Sequence, residues 1–268
     1  MLEEDKVLKH FNSISKNYDT NNEKLYWQLA DKLLWDIMIS YIPNNKEFKF
    51  LDLGGGTGTW SKLILDKYPL SNGILVDYSD GMLFEANKKL SNYKNRIEII
   101  NSDINNVVIN EYFDVILNIY LLPFFDDANY LINFISNHLN RKGKVVSVAE
   151  NYYNGIALNI LKGNIEAIKE MEEKKLGKLS ESVPILKFHT IEEISKIYNN
   201  NDIEVKDVYG YPIVSSIGYS ENLTIENNSI SKILTSNFED IYKLESKYVK
   251  KKRLSNRGKY ICIVGEKK

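Results

Sequence analysis

The sequence contains a single cysteine, Cys262, in 268 residues. No internal disulfide can form, and the apolar run around Cys262 marks it as a buried, inert thiol. No Cys/His/carboxylate cluster has the spacing of a metal centre, so metal-assisted chemistry is not expected. An excess of either charge is also lacking: 35 Lys and Arg face 36 Asp and Glu, a formal net charge of −1. No global field therefore steers the chain toward nucleic acid or anionic lipid. No apolar run approaches the ~20 residues that span a bilayer. The opening "MLEEDKVLKH" is acidic and has no apolar segment of the secretory kind. The expectation is a cytoplasmic protein without a membrane partner, in which the triplets Asn222-Leu223-Thr224 and Asn227-Asn228-Ser229 stay unglycosylated. Repeats and low-complexity linkers are absent too, which excludes a solenoid.

What is present alternates. At 43% hydrophobic residues the chain can bury a full core. Leu25, Trp27, Leu29, Leu33, Leu34, Ile37 and Met38 recur at helical spacing up to Pro43, predicting helices over the first forty-odd residues. Then come the strand "FKFLDL", the helix "TWSKLILDKY", the strand "GILVDY" and a helix from Asp80 with Ser79 as N-cap. "RIEIIN" and "FDVILNIY" read as strands, "DDANYLINFISNHL" as a helix capped by Asp126 or Asp127, and "GKVVSVAE" as a further strand. Near-continuous Val/Ile/Leu strands between helices mean a parallel sheet covered on both faces. After Glu150 the alternation lapses. "NYYNGIALNILKGNIEAIKEMEEKK" reads as one helix with Leu158, Leu161, Ile165 and Ile168 on a stripe. "HTIEEISKIYNN" reads as a helix with Thr190 and Glu193 in capping-box spacing. A second helical insertion, about Ile230 to Tyr248, precedes the last strand "KYICIVGEK". One domain over 1–268 is expected: a helical cap at 1–46, a core at 47–150, a helical insertion at 151–200, and the rest of the sheet with the second insertion at 201–268. Both insertions are expected to form a lid over the carboxyl edge of the sheet.

Gly54, Gly55, Gly56 and Gly58 lie between the first strand and its helix. In a parallel sheet that junction is where a ligand binds. The dinucleotide pattern G-x-G-x-x-G fails at Thr59, which weakens a nicotinamide-dependent reading. The pattern present is Asp52-x-Gly54-x-Gly56-x-Gly58, and the sequence here resembles the class I S-adenosylmethionine-dependent methyltransferases. The resemblance continues through Asp77 and Tyr78 after the second strand, Asp103 and Ile104 after the third, "FDVILNIY" with Asn118 as the fourth, "LNRKGKVVSVAE" and the final strand. It implies an α/β fold: a Rossmann-like seven-stranded methyltransferase sheet, parallel with an antiparallel last strand, plus the helical cap and lid insertions. It implies S-adenosyl-L-methionine as cofactor and S-adenosyl-L-homocysteine as product. The implied contacts are Asp77 with the ribose, Asp103 with the adenine amino group, Ile104 with the ring and Asn118 near the methionine moiety. "FNSISKNYD" resembles the N-terminal segment that members fold over the cofactor, which would bring Tyr18 to the sulfonium or to the acceptor.

Methyl transfer from a sulfonium is an in-line displacement that needs an acceptor lone pair and exclusion of water. Tyr18, Glu150 and Tyr152 are the candidate catalytic groups, with Tyr120, Asn151 and Tyr153 close to them in the chain. Glu150 either takes a proton or holds an ammonium, or else is a strand-end residue that binds the lid. His189 reads as a structural or capping residue; His10 and His138 read as helix-surface residues. "KYVKKKRLSNRGK" reads as a solvated helix end and not as an RNA tract. The prolines that follow the fourth strand in methylators of base or amide nitrogens are missing from Asn118-Ile119-Tyr120-Leu121. Apolar and Tyr-rich insertions favour an enclosed small-molecule or peptide acceptor, an amine first. A hydroxyl or carboxylate acceptor, or RNA methylation, is the alternative.

Overall fold

The computed structural model describes residues 3–22, 24–44, 46–178, 183–215 and 230–268. The two glycosylation-like triplets lie outside the described residues. The first five strands are β1 (Phe48–Leu53), β2 (Ser71–Asp77), β3 (Ile97–Asn101), β4 (Phe113–Asn118) and β5 (Leu139–Asn151). They pair in parallel in the order β3-β2-β1-β4-β5. The last strand, β9 (Tyr260–Lys267), runs antiparallel to β5 over Lys144 to Glu150, and β8 (Ile203–Tyr211) pairs antiparallel with β9 on its outer side. This is the expected seven-stranded arrangement. A short ribbon is added to it: β7 (Leu186–His189) pairs in parallel with Glu150 and Asn151, and β6 (Leu176–Gly177) pairs with β7. The ribbon continues the sheet beyond the end of β4, whose pairing with β5 stops at Asn118 and Ser147.

The strands read as continuous apolar runs because both faces are covered. Side chains alternate across the sheet with period two. Phe48, Phe50, Val115, Leu117, Val146, Val148, Cys262 and Val264 face one layer; Leu51, Leu53, Ile116, Val145, Ala149 and Ile263 face the other. The first layer holds α3 (Leu25–Met38), α4 (Thr59–Lys67), α5 (Asp80–Lys89) and α10 (Ile230–Val249); the second holds α6 (Ala128–His138) and α9 (Ile191–Asn200). Ser79 caps α5, Asp127 caps α6, and Thr190 with Glu193 closes the full capping box of α9. Among the described residues no helix is long and apolar enough to cross a membrane.

The insertions depart from expectation in two respects. The stretch after Glu150 is not one helix but two, α7 (Tyr152–Leu161) and α8 (Ile165–Lys174). Gly163 at φ +67° breaks them apart, and Asn164 caps the second by accepting from Ala167 N at 3.1 Å. The second insertion is not a lid over the carboxyl edge. α10 packs Leu234, Phe238, Ile241 and Val249 into the layer of α3. Its Glu245 is fully buried and accepts from the backbone N–H groups of Ile213, Val214 and Ser215 at 2.7–3.0 Å and from the Ser215 hydroxyl at 2.6 Å. The apolar stripe of α10 thus answers to a helix, and its acid to a turn after β8.

Candidate functional site

The loop between β1 and α4 forms the floor of a cavity of about 270 Å³ at the carboxyl ends of the strands. Gly54 and Gly55 donate to the Val76 carbonyl at 2.8 and 3.2 Å, and Gly56 N donates to Asp77 Oδ2 at 2.9 Å. Two glycines show why the residue is required. Gly56 has φ +54° and nothing within 4 Å of where a Cβ would stand, so a side chain there would project into the cavity. Gly58 has φ +78°, and its Cβ would meet Leu90 at 2.7 Å behind the loop. The first leaves room for a ligand; the second permits packing of α4.

Of the residues expected at the site, Tyr18, Gly54, Gly56, Asp77, Tyr78, Asp103, Ile104 and Glu150 line this cavity. Asp77 closes β2, with Oδ1 accepting from Ser79 N at 2.9 Å. Burial pushes its carboxyl above the ordinary value, against the hydrogen bonds from Ser79 and Gly56. Asp103 Oδ2 and the Tyr78 hydroxyl are buried without a hydrogen-bond partner among the described residues, although the Asp103 carboxyl also faces Glu4, whose own carboxyl it raises. Buried polar atoms normally have partners, so these two are positions for a ligand's donors or acceptors. Four expected residues are not brought to the wall. Asp52 is buried behind the loop, where its carboxylate accepts from Ser61 Oγ at 2.6 Å; burial raises it to about 6. Gly58 packs as described. Asn118 donates to Ser147 Oγ at 3.1 Å inside the sheet. Tyr152 packs against the cluster of Met171, Leu186 and Phe188, with Nζ of Lys175, the residue after α8, 5.1 Å from its ring centre.

The N-terminal cap forms the roof. Val7, His10, Phe11, Ile14 and Tyr18 line it from α1 (Glu4–Ile14) to the first residue of α2 (Tyr18–Asn22). Polar contacts help to hold the cap down. Asn12 Oδ1 accepts from Ser79 Oγ at 2.8 Å and Gly81 N at 2.9 Å. Asp19 accepts from Thr57 Oγ1 at 2.8 Å and pairs with Lys89 at 2.8 Å. His10 is therefore a wall residue and not a helix-surface one. His189 is buried, and desolvation lowers it to about 4, so it stays neutral. Among the described residues of the first insertion, only Val183 and Leu186 reach the cavity.

Beyond Tyr18 the wall consists of Trp27, Asp31, Tyr120, Glu150 and Tyr260. Trp27 and Asp31 lie one turn apart on α3, so they share a face. Tyr120 sits at φ +60°, a strained position for a residue with a side chain, and its hydroxyl lies 3.2 Å from that of Tyr211. Its ring meets Trp27 and Tyr260 edge-on, with centres 6.5 and 4.9 Å apart. Burial raises the Asp31 and Glu150 carboxyls to about 7 each; a buried lysine, Lys259, draws Glu150 back toward ionisation. Sequence reasoning missed Trp27, Asp31, Lys259 and Tyr260. The available signal was Asp31, an acid in the apolar stripe of α3; Lys259 was hidden at the end of a basic run.

Residues 50–143 match the model of a family described as "Methyltransferase domain". The malonyl-[acyl-carrier protein] O-methyltransferase of Priestia megaterium is 26% identical over 74% of this chain and 68% of its own length. Against other relatives of that description the match spans about half of their length. Among solved structures, a possible histamine N-methyltransferase of Thermotoga maritima superposes with TM-score 0.61 at 15% identity, covering 98% of this chain and 100% of that one. A magnesium protoporphyrin IX methyltransferase of Synechocystis with bound S-adenosylhomocysteine gives TM-score 0.52 at 12% identity, over 90% of this chain and 82% of that one. The chain is a class I S-adenosylmethionine-dependent methyltransferase. S-adenosylmethionine is its methyl donor, and the residues present fit it: open space at Gly56, acids at Asp77 and Asp103, and unpartnered polar atoms at Asp103 and Tyr78. Among the described residues no group of side chains is arranged to hold a metal ion.

Proposed function

We propose that the protein transfers the methyl group to a carboxylate oxygen of an acyl thioester of the malonyl type, free or carried on a protein. This replaces the amine that the sequence alone placed first. The relatives named above, which act on a malonyl-[acyl-carrier protein], support an oxygen acceptor. The observation that carries the reading is the pair Asp31 and Glu150, each raised to about 7 on an aromatic wall. Protonated, the two are hydrogen-bond donors to an anion and not a wall of negative charge.

When bound, the cofactor supplies an electrophilic methyl on a positive sulfur. A carboxylate oxygen forms the new C–O bond as the C–S bond breaks, giving a neutral ester and a neutral thioether, and no proton moves. What this chain contributes is alignment and dryness. The cap closes off water, and Tyr18, Trp27 and Tyr120 crowd the acceptor into line; such positioning supplies on the order of 7–11 kcal/mol in favourable cases.

A second reading, transfer to an amine, is favoured by the same acids in ionised form, since they would hold an ammonium and accept its proton. The pH profile separates the two. With a malonyl thioester, kcat/KM should be high below about pH 7 and fall above it, as Asp31 and Glu150 ionise in the presence of Lys259, Tyr120 and Tyr18. With an amine it should rise through the same interval. Methyl-labelled cofactor offered with malonyl-pantetheine and with a set of amines measures both; transfer to amines alone, rising with pH, would overturn the carboxylate reading.

A further inference from the structure

Lys259 ends the basic run that the sequence assigns to a solvated helix end, yet its side chain is fully buried. Its ammonium donates to the Tyr260 hydroxyl at 2.6 Å and lies 5.2 Å from the centre of the Trp27 ring. The rings of Tyr26 and Tyr260 complete the enclosure at 5.9 and 4.4 Å. Trp27, Tyr260 and Glu150 all have their other side on the cavity. A lysine removed from water is tolerated only where nearby groups offset its charge. Here aromatic faces do so; burial still lowers Lys259 to about 7, and the neighbouring Glu150 carboxyl draws it back toward its charged form. Nothing in the methyl transfer itself uses this lysine.

We propose that Lys259 is a positioning residue that sets acceptor specificity: a buried cation behind the wall that, acting through Tyr260 and Glu150, makes this end of the cavity receptive to an anionic acceptor. The proposal rests on the carboxylate reading above. An acceptor carboxylate entering the cavity leaves its water behind and meets Asp31 and Glu150. A positive charge one side chain deeper offsets that cost, because attraction is poorly screened in a dry interior. An ammonium donating to a phenol oxygen also polarises the phenol's own O–H bond and strengthens it as a donor. The cage fixes the ammonium on the Tyr260 hydroxyl, where a solvated lysine would wander.

The test compares binding of malonyl-pantetheine with that of its neutral methyl ester. Lys259→Met keeps much of the volume and removes the charge. It should weaken the anion by about 10- to 100-fold, the range expected for losing a charged hydrogen-bond network, and the ester by less than about three-fold. Affinity for S-adenosylhomocysteine should be unchanged, which also reports that the fold is intact. If Lys259→Met does not fold, Lys259→Gln retains a donor to Tyr260 without charge and should show the same loss of discrimination, while Lys259→Arg should restore part of it. Equal weakening of anion and ester would reduce Lys259 to a packing role and overturn the proposal. The two readings fail differently. Absence of methyl transfer to malonyl-pantetheine by the unaltered protein removes the acceptor reading. Transfer that persists, with discrimination unchanged in the Lys259 variants, removes this inference alone.

Discussion

At the scale of single residues, chemistry here depends on which atoms remain unclaimed by the fold. Asp77 and Asp52 are both acids at strand ends beside the glycine loop, but Ser61 occupies the Asp52 carboxylate while Asp77 keeps a face on the cavity. Asp77→Ala is therefore expected to weaken S-adenosylmethionine binding by roughly ten- to more than a hundred-fold, since hydrogen bonds to a charged acceptor are worth ~1.5–3 kcal/mol. Calorimetry on a variant with an unaltered circular dichroism spectrum measures this; a change below about two-fold would place the ribose elsewhere. The motif residue Tyr18 was legible from "FNSISKNYD", because a local pattern fixes it. Tyr152 was not, because its direction depends on where α7 turns, and the ring packs toward Lys175.

At the scale of elements, caps and strands followed from short-range rules, whereas the partners of helices did not. The capping box at Thr190 and Glu193 and the N-cap at Ser79 were legible because both partners lie within one turn. The break between α7 and α8 was hidden because the apolar stripe runs through it, and Gly163 with Asn164 was the signal to read. For α10 the periodicity gave a helix but not the surface it covers. Glu245 ties that helix to the turn after β8 by satisfying three backbone N–H groups. Glu245→Ala would leave those donors buried without a partner, at about 1–3 kcal/mol for each group not rescued by water. Chemical denaturation should show a loss of about 3 kcal/mol or more; Glu245→Gln should recover part of it. A loss below about 1 kcal/mol would mean that the turn finds other partners.

At the scale of the whole molecule, the cavity lies between the sheet edge and the N-terminal cap. Asn12 and Asp19 are among its polar attachments to the core side of the site. Segments that open for exchange of substrate come from the less stable parts of a fold. Hydrogen exchange should therefore show α1 and α2 gaining protection when S-adenosylhomocysteine binds, with β1, β4 and β5 little changed. α10, packed on α3 away from the cavity, should not respond. Equal protection of α10 and the cap would show that the second insertion closes over the site after all, and protection confined to the glycine loop would show that the cap is no lid.

By itself the sequence determined the parallel sheet, its antiparallel last strand, the glycine loop and the acids at Asp77 and Asp103. Each of these is encoded locally, by alternation, by glycine at a strand end or by an acid at or just past the end of a strand. It also bounded the chemistry, since one cysteine and a balanced charge leave few alternatives. Only the tertiary structure decided the aromatic end of the cavity. Trp27, Asp31, Tyr120, Glu150 and Tyr260 come from α3, from the segment after β4 and from β5 and β9, far apart in the chain. Their pairing, and the burial of Lys259 behind them, depends on how helices of the cap seat on the sheet. Burial also changes what the residues are: two carboxyls and a lysine that would be fully charged in water are brought to about 7, because desolvation penalises the charged form and no sequence pattern records depth.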